Sequence, residues 1–194
     1  MKNIVYFHGL SSSGKSRTGN ILRNLFPEAN VLTPDIPVSP KEAIPQLKNL
    51  VNSLDPEKTV IIGTSMGGMY AQQMRGYKRI LVNPAFYVSK TLKKNIGKNL
   101  PFFSEREDGA VEFPVTEKLI GEFEEMESHQ FDEINSDKNV ISLFGNKDEV
   151  FNYKEEYLKY YTDFRDFDGE HRLSNDNIEN EIVPLIKEIL FGVC

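Results

Sequence analysis

The sequence predicts an α/β fold in which six mostly parallel strands form one sheet with helices on both faces. Short, continuously apolar runs end at Gly, Pro or Asn, which is typical of strands that are buried on both faces. Helix-like stretches separate these runs, and this alternation implies right-handed crossover connections. The chain has 194 residues, of which 39% are hydrophobic, which suits a single domain with a substantial core.

Each predicted element follows from its local pattern. The apolar runs NIVYFH, TVIIG and RILVN give the clearest strands, and the run that ends at Phe167 is the weakest. The six predicted strands cover residues 3–8, 31–33, 59–63, 79–83, 139–144 and 163–167. The predicted helices cover about 16–26, 41–54, 66–76, 153–160 and 176–190.

Residues 86–138 break this alternation. They are too many for one crossover, and they mix Lys-rich, aromatic and Glu-rich stretches. We expect a partly helical, cap-like insertion after the fourth strand, folded over the carboxyl edge of the sheet, within a single domain of residues 1–194. Its aromatic residues either line an apolar pocket or pack as the insertion's own core, and the sequence leaves both alternatives open. They are Phe86, Tyr87, Phe102, Phe103 and Phe113.

Composition excludes several classes of function. The formal charge is −6, whereas a nucleic-acid-binding protein usually has a basic surplus. No run of 18 apolar residues suggests a membrane span, and the first residues, MKNIVYFHGL, do not resemble a secretory signal. The single cysteine, Cys194, cannot form an internal disulfide bond. We therefore expect a cytoplasmic protein that binds neither nucleic acid nor membranes.

A nucleophile motif follows the third predicted strand. Gly63-Thr64-Ser65-Met66-Gly67 matches G-x-S-x-G and precedes a plausible helix, which is the context that this motif requires. A sharp turn from strand to helix exposes the serine Oγ above the sheet. It also directs the following N–H group and the helix N-terminus at the reacting oxygen. The motif by itself is short enough to arise by chance.

A catalytic serine needs a base and a group that orients the base. Of the three histidines, only His171 follows the last predicted strand, where this fold places its base. The acid is expected after the preceding strand, where Asp148 is the first choice and Glu149 the alternative. The chain order Ser65, Asp148, His171 is the order that this fold requires. His129 lies among acidic residues and is interpreted as part of a solvated surface and not as a metal ligand.

The first predicted strand ends in His8-Gly9, followed by a tight polar loop. Such a loop commonly forms half of an oxyanion hole, so the Leu10 N–H group is expected to act together with the Met66 N–H group. In this arrangement His8 is a structural residue near the site and is not the base.

A competing motif overlaps this loop. The eight residues 9–16, GLSSSGKS, match the P-loop pattern G-x-x-x-x-G-K-[ST] between a strand and a helix. In a nucleotide-binding protein or kinase, Lys15 would contact phosphates, Ser16 would bind magnesium and Asp35 could hold the metal. That alternative leaves Ser65, Asp148 and His171 unexplained, so it is the less favoured one.

Taken together, these segments resemble the small YqiA-like esterases of the α/β-hydrolase superfamily, over about residues 4–190. The matching segments are YFHGLSS at 6–12, TPDIP at 33–37, GTSMGG at 63–68, LVNPA at 81–85, DEV at 148–150 and GEH at 169–171. The resemblance implies a minimal α/β-hydrolase fold with strand order 2-1-3-4-5-6. It gives Ser65, Asp148 and His171 the triad roles, and Leu10 and Met66 the oxyanion donors. It implies hydrolysis of small acyl esters or thioesters with no cofactor and no metal.

Overall fold

The structure, a computed structural model, describes residues 1–132, 134 and 139–193. Residues 133 and 135–138, at the end of the predicted insertion, lie outside the described residues. So does Cys194, the single cysteine, for which no internal disulfide bond is predicted. In the described part of the chain, no helix is both long and apolar enough to cross a membrane.

Within the described residues, eight strands form two sheets. They are β1 (Asn3–Phe7), β2 (Asn30–Leu32), β3 (Thr59–Thr64), β4 (Lys78–Val82), β5 (Asn99–Pro101), β6 (Glu112–Pro114), β7 (Val140–Gly145) and β8 (Phe164–Phe167). The main sheet has the order β2-β1-β3-β4-β7-β8, and all its strand pairs are parallel. Counted along the chain without the β5–β6 hairpin, this is the predicted order 2-1-3-4-5-6, which is confirmed. The parallel strands bring their carboxyl ends to one edge, where ligands of open α/β sheets bind.

Helices connect the strands and cover both faces of the sheet. The α-helices are α1 (Arg17–Leu25), α2 (Pro40–Asn52), α3 (Met66–Gln72), α4 (Val88–Leu92), α5 (Glu117–His129), α6 (Lys154–Tyr157), α7 (Asn175–Asn177) and α8 (Val183–Phe191). Short 3₁₀ helices cover Pro56–Lys58 and Lys93–Asn95. A π-helical turn at Ile178–Ile182 joins α7 to α8. It ends two residues before Pro184, which has no N–H group for a regular helical hydrogen bond.

Alternate residues of each strand contribute to two separate cores. In β1, Ile4 and Tyr6 belong to the core under α1 and α8, whereas Val5 and Phe7 belong to the core under α2, α3 and α5. All four side chains are buried. This alternation explains why the strands read as continuous apolar runs, since both sides of every pleat must be apolar.

The segment between β4 and β7 contains α4, a 3₁₀ turn, the antiparallel β5–β6 hairpin and α5. The helices agree with the predicted partly helical character of residues 86–138. The hairpin was not predicted, because its strands have only three residues each and too little alternation to recognise. The 102–107 stretch of this segment crosses to the loops after β1 and β2, where it contacts the site described below.

Candidate active site

Ser65 occupies a sharp turn between β3 and α3. Its φ of 55° and ψ of −121° lie in a region that L-residues rarely adopt, and such strain persists only where the surroundings enforce it. The Ser65 N–H donates to the Val82 carbonyl at 3.0 Å, and its carbonyl accepts the Ala85 N–H at 3.0 Å. The second glycine of the motif, Gly67, is required here, because a Cβ at this position would overlap the Phe7 carbonyl. The turn therefore depends on a close approach between α3 and β1.

The structure brings the three predicted side chains into one hydrogen-bonded chain. His171 Nε2 lies 3.0 Å from Ser65 Oγ, and His171 Nδ1 lies 2.8 Å from Asp148 Oδ2. With a carboxylate at Nδ1, the neutral ring carries its proton on Nδ1 and presents a lone pair on Nε2 to the serine hydroxyl. The ring edge of His171 also contacts Phe151, with 5.0 Å between the ring centroids.

Asp148 and Glu149 have different surroundings. The Asp148 side chain is 3% exposed, and its Oδ1 accepts the N–H groups of Val150 at 2.8 Å and Phe151 at 3.0 Å. These bonds fix the carboxylate, so that Oδ2 is directed at His171. Glu149 is exposed. The geometry thus places the first-choice acid against the histidine and leaves the alternative in solvent.

Asn83 joins the loops that carry the acid and the histidine, and no catalytic or structural role was predicted for it. It follows β4 with a φ of 44°, which asparagine tolerates better than most residues, and it is 3% exposed. Its Oδ1 accepts the Gly145 N–H at 2.7 Å, and its Nδ2 donates to the Glu170 carbonyl at 2.9 Å. The only sequence signal was an Asn-Pro pair at the end of a buried strand.

The loop after β1 lies against the nucleophile. A Cβ at Gly9 would lie 3.3 Å from Ser65 Cβ and 3.8 Å from Ser65 Oγ, so a side chain there would crowd the site. Among the described residues, the Leu10 and Met66 N–H groups have no hydrogen-bond acceptor. Met66 is the first residue of α3, where N–H groups have no partner within the helix. Both expected donors are thus available to a ligand.

His8 is buried beneath this loop and is held in one tautomer. Its Nε2 accepts the Ile36 N–H at 3.0 Å, so its Nδ1 carries the proton and donates to the Gly9 carbonyl at 2.8 Å. Burial lowers the pKa of His8 to about 4, so the ring is neutral near pH 7. This geometry matches the structural position expected for His8.

The loop of the competing motif uses its N–H groups internally. The Ser12 N–H donates to the Gly9 carbonyl at 3.3 Å, and the Ser16 N–H donates to the Ser13 carbonyl at 3.1 Å. The Lys15 N–H donates to Ser13 Oγ at 3.1 Å. A P-loop instead directs its N–H groups at phosphates. Most of the cradle that a nucleotide would need is therefore occupied by the protein itself.

The Asp35 carboxylate, which lies after β2, binds this loop through a backbone N–H group. Its Oδ1 accepts the Gly14 N–H at 2.6 Å, and its Oδ2 accepts the Glu107 N–H at 2.7 Å. Both oxygens of the carboxylate considered for a metal are thus bound to backbone. Lys15 Nζ is 2.8 Å from Glu105, and both side chains are largely exposed. The Asp35 carboxylate, which bridges Gly14 and Glu107, and the Lys15–Glu105 pair tie residues 9–16 to the insertion, and no observation favours nucleotide binding.

A cleft of about 1170 Å³ contains Ser65 and His171 and opens along the carboxyl edge of the sheet. Of the five aromatic residues noted in the insertion, only Phe103 lines this cleft. Phe86 and Phe113 are buried in the hydrophobic core, and Tyr87 and Phe102 pack against that core. Arg172 lies 5.1 Å from the Phe103 ring across the mouth of the cleft.

No cluster of three or more His, Cys, Asp or Glu residues suited to a metal occurs in the described part of the chain. His129 is exposed and pairs with Asp132 at 2.8 Å.

The family described as "Uncharacterised protein family (UPF0227)" matches residues 3–188. The chain belongs to this family. UPF0227 is the YqiA-like family, so the resemblance drawn from the sequence is confirmed.

The UPF0227 chain is also similar to solved structures. Est1E from Butyrivibrio proteoclasticus has a TM-score of 0.68 and 15% identity, covering 98% of this chain and 87% of that one. Mouse alpha/beta hydrolase domain-containing protein 10 has a TM-score of 0.67 and 14% identity, covering 98% and 90%. S-formylglutathione hydrolase FrmB from Staphylococcus aureus has a TM-score of 0.64 and 16% identity, covering 98% and 83%. The expected α/β-hydrolase fold is confirmed.

Proposed function

We propose that this UPF0227 protein is a serine hydrolase that cleaves small acyl esters or thioesters. The observation that carries the proposal is the chain of hydrogen bonds from Asp148 through His171 to Ser65, with heavy-atom distances of 2.8 Å and 3.0 Å. A serine, a histidine and a carboxylate at these distances form the constellation that activates a serine nucleophile. Proteins of the same fold named as an esterase and as an S-formylglutathione hydrolase support the same class of chemistry.

In the acylation step, Ser65 Oγ attacks the carbonyl carbon while His171 Nε2 takes its proton. The Asp148 carboxylate stabilises the resulting imidazolium and holds the ring in its orientation. The negative charge that develops on the carbonyl oxygen is stabilised by the N–H groups of Leu10 and Met66. When the tetrahedral intermediate collapses, His171 returns the proton to the leaving oxygen or sulfur, and the acyl group remains on Ser65.

In the deacylation step, a water molecule replaces the leaving group. His171 removes a proton from this water as it attacks the acyl carbon, and the carboxylic acid is released when Ser65 Oγ regains a proton. Every proton transfer in both steps uses His171 Nε2. The scheme requires only groups of this chain, the substrate and water, and it involves no cofactor.

The proposal includes the expected domain organisation, with one domain over residues 1–194 and a cap-like segment at 86–138. Three contacts between 102–107 and the core support a cap. The Phe103 N–H donates to the Ser11 carbonyl at 2.7 Å, the Glu107 N–H donates to Asp35, and the Arg106 side chain donates to the Ile36 carbonyl at 3.3 Å. The 102–107 stretch thus adjoins the loop that carries Leu10.

The central experiment replaces Ser65 with alanine. Ser65→Ala should keep the wild-type thermal unfolding midpoint but lose ester hydrolysis by about 10⁴-fold or more, as expected when a triad member is removed. A fluorophosphonate should label the wild-type protein at Ser65 and leave the variant unlabelled. Ser53→Ala, at an exposed serine at the end of α2, is a matched control and should be labelled and active. Full activity in Ser65→Ala, or labelling at another residue, would disprove the proposal.

A further inference from the structure

The cleft has two arms of different chemistry, one on each face of the sheet. The polar arm lies over the α1/α8 face and is lined by Tyr6, Ser16, Thr18, Thr64, Ser174 and Asn177. The apolar arm lies over the other face and is lined by Ala85, Val88, Val150 and Phe151. Ser65 lies between them at the sheet edge. An ester that reacts at Ser65 can therefore place its acyl part and its alcohol part in surroundings of opposite polarity.

A hydroxyl cluster forms the inner end of the polar arm. Tyr6 Oη lies 2.8 Å from Thr64 Oγ1, and the side chains of Ser16 and Thr18 line the same cleft. Tyr6, Ser16 and Thr18 are buried, and the ring of Tyr6 belongs to the apolar core under α1 and α8. Burial raises the pKa of Tyr6, so the phenol stays protonated. Each hydroxyl has one hydrogen and two lone pairs, so the cluster keeps unused acceptor sites that suit a ligand with hydroxyl donors.

The position of this cluster relative to the triad assigns it to the leaving group. The leaving oxygen must lie within hydrogen-bond reach of His171 Nε2 to receive its proton. The chain that follows His171 runs through Leu173 and Ser174 into the polar arm, and Thr64 directly precedes Ser65. The Arg17 guanidinium donates a hydrogen bond to the Leu173 carbonyl, and this bond holds the segment after His171 against the start of α1. This arrangement favours the alcohol part in the polar arm and the acyl part in the apolar arm.

The charges of the polar arm favour a neutral leaving group. The carboxylates of Asp176 and Glu181 line its outer end. Of the two arginines that line the cleft, Arg17 binds the Leu173 carbonyl and Arg172 lies over the Phe103 ring. Lys147, on the other rim, pairs with Asp168 at 2.7 Å. A phosphorylated alcohol would meet like charge at the two carboxylates, whereas a neutral hydroxylated alcohol would not.

We propose that the substrates are esters of an apolar acyl group with a neutral, polyhydroxylated alcohol, whose hydroxyls are bound by Tyr6 and Thr64. This inference rests on the proposed esterase function and names the alcohol side of its substrate. It requires the enzyme to prefer an ester whose alcohol has free hydroxyls over one whose alcohol has the same carbon skeleton and none.

Glyceryl 1-monobutyrate and propyl butyrate form a matched pair, because they share the acyl group and a three-carbon alcohol and differ by two hydroxyls. Each kcat/KM is divided by the rate of hydroxide-catalysed hydrolysis of the same ester, which removes the difference in intrinsic reactivity. The wild type should prefer the glyceryl ester by about 5-fold or more, the size expected for a net hydrogen bond. Tyr6→Phe and Thr64→Val each remove one hydroxyl while keeping the side-chain shape, and each should lower this preference by about 5-fold.

Tyr77→Phe is the control, since its hydroxyl is buried against the Val51 carbonyl at 2.6 Å, away from the cleft. It should keep the wild-type preference. Thermal unfolding midpoints verify that each variant is folded. If both esters are hydrolysed without a preference, or if the preference survives in Tyr6→Phe and Thr64→Val, the inference is wrong while the esterase function stands. Hydrolysis of neither ester would overturn both.

Discussion

The side-chain amide of Asn83 donates a hydrogen bond to the carbonyl of Glu170 at 2.9 Å, one residue before His171. The same side chain accepts the N–H of Gly145, in the strand that leads to Asp148. One buried amide thus holds together the two loops whose separation sets the distance between Asp148 and His171. Asn83 is not among the residues that line the cleft, so we expect it to act by positioning these loops.

Asn83→Asp should weaken this clamp. Aspartate tolerates the positive φ and can still accept the Gly145 N–H, but it places an acceptor opposite the Glu170 carbonyl. We expect kcat for an activated ester to fall by about 10-fold, because small misplacements of catalytic groups are costly, with a smaller change in KM. Asn152→Asp, at an exposed asparagine, should have the wild-type kcat. An unchanged kcat in a folded Asn83→Asp variant would show that the loops hold their positions without the clamp.

The two candidate acids can be separated by amide substitutions. Asp148→Asn should lower kcat by about 10⁴-fold, because the amide no longer stabilises the imidazolium and favours the wrong tautomer of His171. Glu149→Gln should have almost no effect, because Glu149 is exposed and Asp148 is the residue bound to the histidine. Steady-state kinetics with one activated ester measures both. The opposite ranking would move the acid to Glu149.

His8 should make the stability of the fold depend on pH in the acidic range. Burial lowers the pKa of His8 to about 4, whereas the unfolded chain has an ordinary histidine pKa near 6.5. As the pH falls from 6.5 to 4, the unfolded state takes up a proton that the folded state does not. Stability is therefore present above pH 6.5 and lost towards pH 4, by about 3 kcal/mol for this group.

Denaturant unfolding at pH 7 and pH 4.5 measures this effect. His8→Gln has no ring to titrate, so its free energy of unfolding should fall less between the two pH values than that of the wild type. His129→Gln removes an exposed histidine and should follow the wild type. If His8→Gln and the wild type lose the same free energy, another group accounts for the acid sensitivity.

The competing P-loop interpretation has a direct test at Lys15. In the structure Lys15 forms an exposed pair with Glu105, so Lys15→Ala should retain near-wild-type ester hydrolysis, as should the matched variant Glu105→Ala. Magnesium with ATP or GTP should not shift the thermal unfolding midpoint, whereas a nucleotide at 100 times its Kd would stabilise the fold by about 2.7 kcal/mol. A magnesium-dependent shift that Lys15→Ala abolishes would favour nucleotide binding.

Some features of the fold and the site were predictable because their signals are local. The G-x-S-x-G motif predicts its own local structure, because a sharp strand-to-helix turn like the one at Ser65 needs small neighbouring residues. The strand order followed from the family resemblance, and the three-residue strands β5 and β6 were too short to give a pattern. The amide clamp at Asn83 had no signal beyond an Asn-Pro pair, because its two partners lie 62 and 87 residues away.

The sequence by itself indicated the candidate nucleophile, the order of the candidate triad residues and the alternation of strands and helices, since each depends on neighbours along the chain. It left open the choice between Asp148 and Glu149 and between two uses of the loop at 9–16. Only the tertiary structure decided that Asp148 faces His171, that Asp35 occupies the Gly14 N–H, and that the hydroxyls of Tyr6 and Thr64 meet. The physical reason is strand pairing: Tyr6 and Thr64 are 58 residues apart in the chain and become neighbours only when β1 pairs with β3.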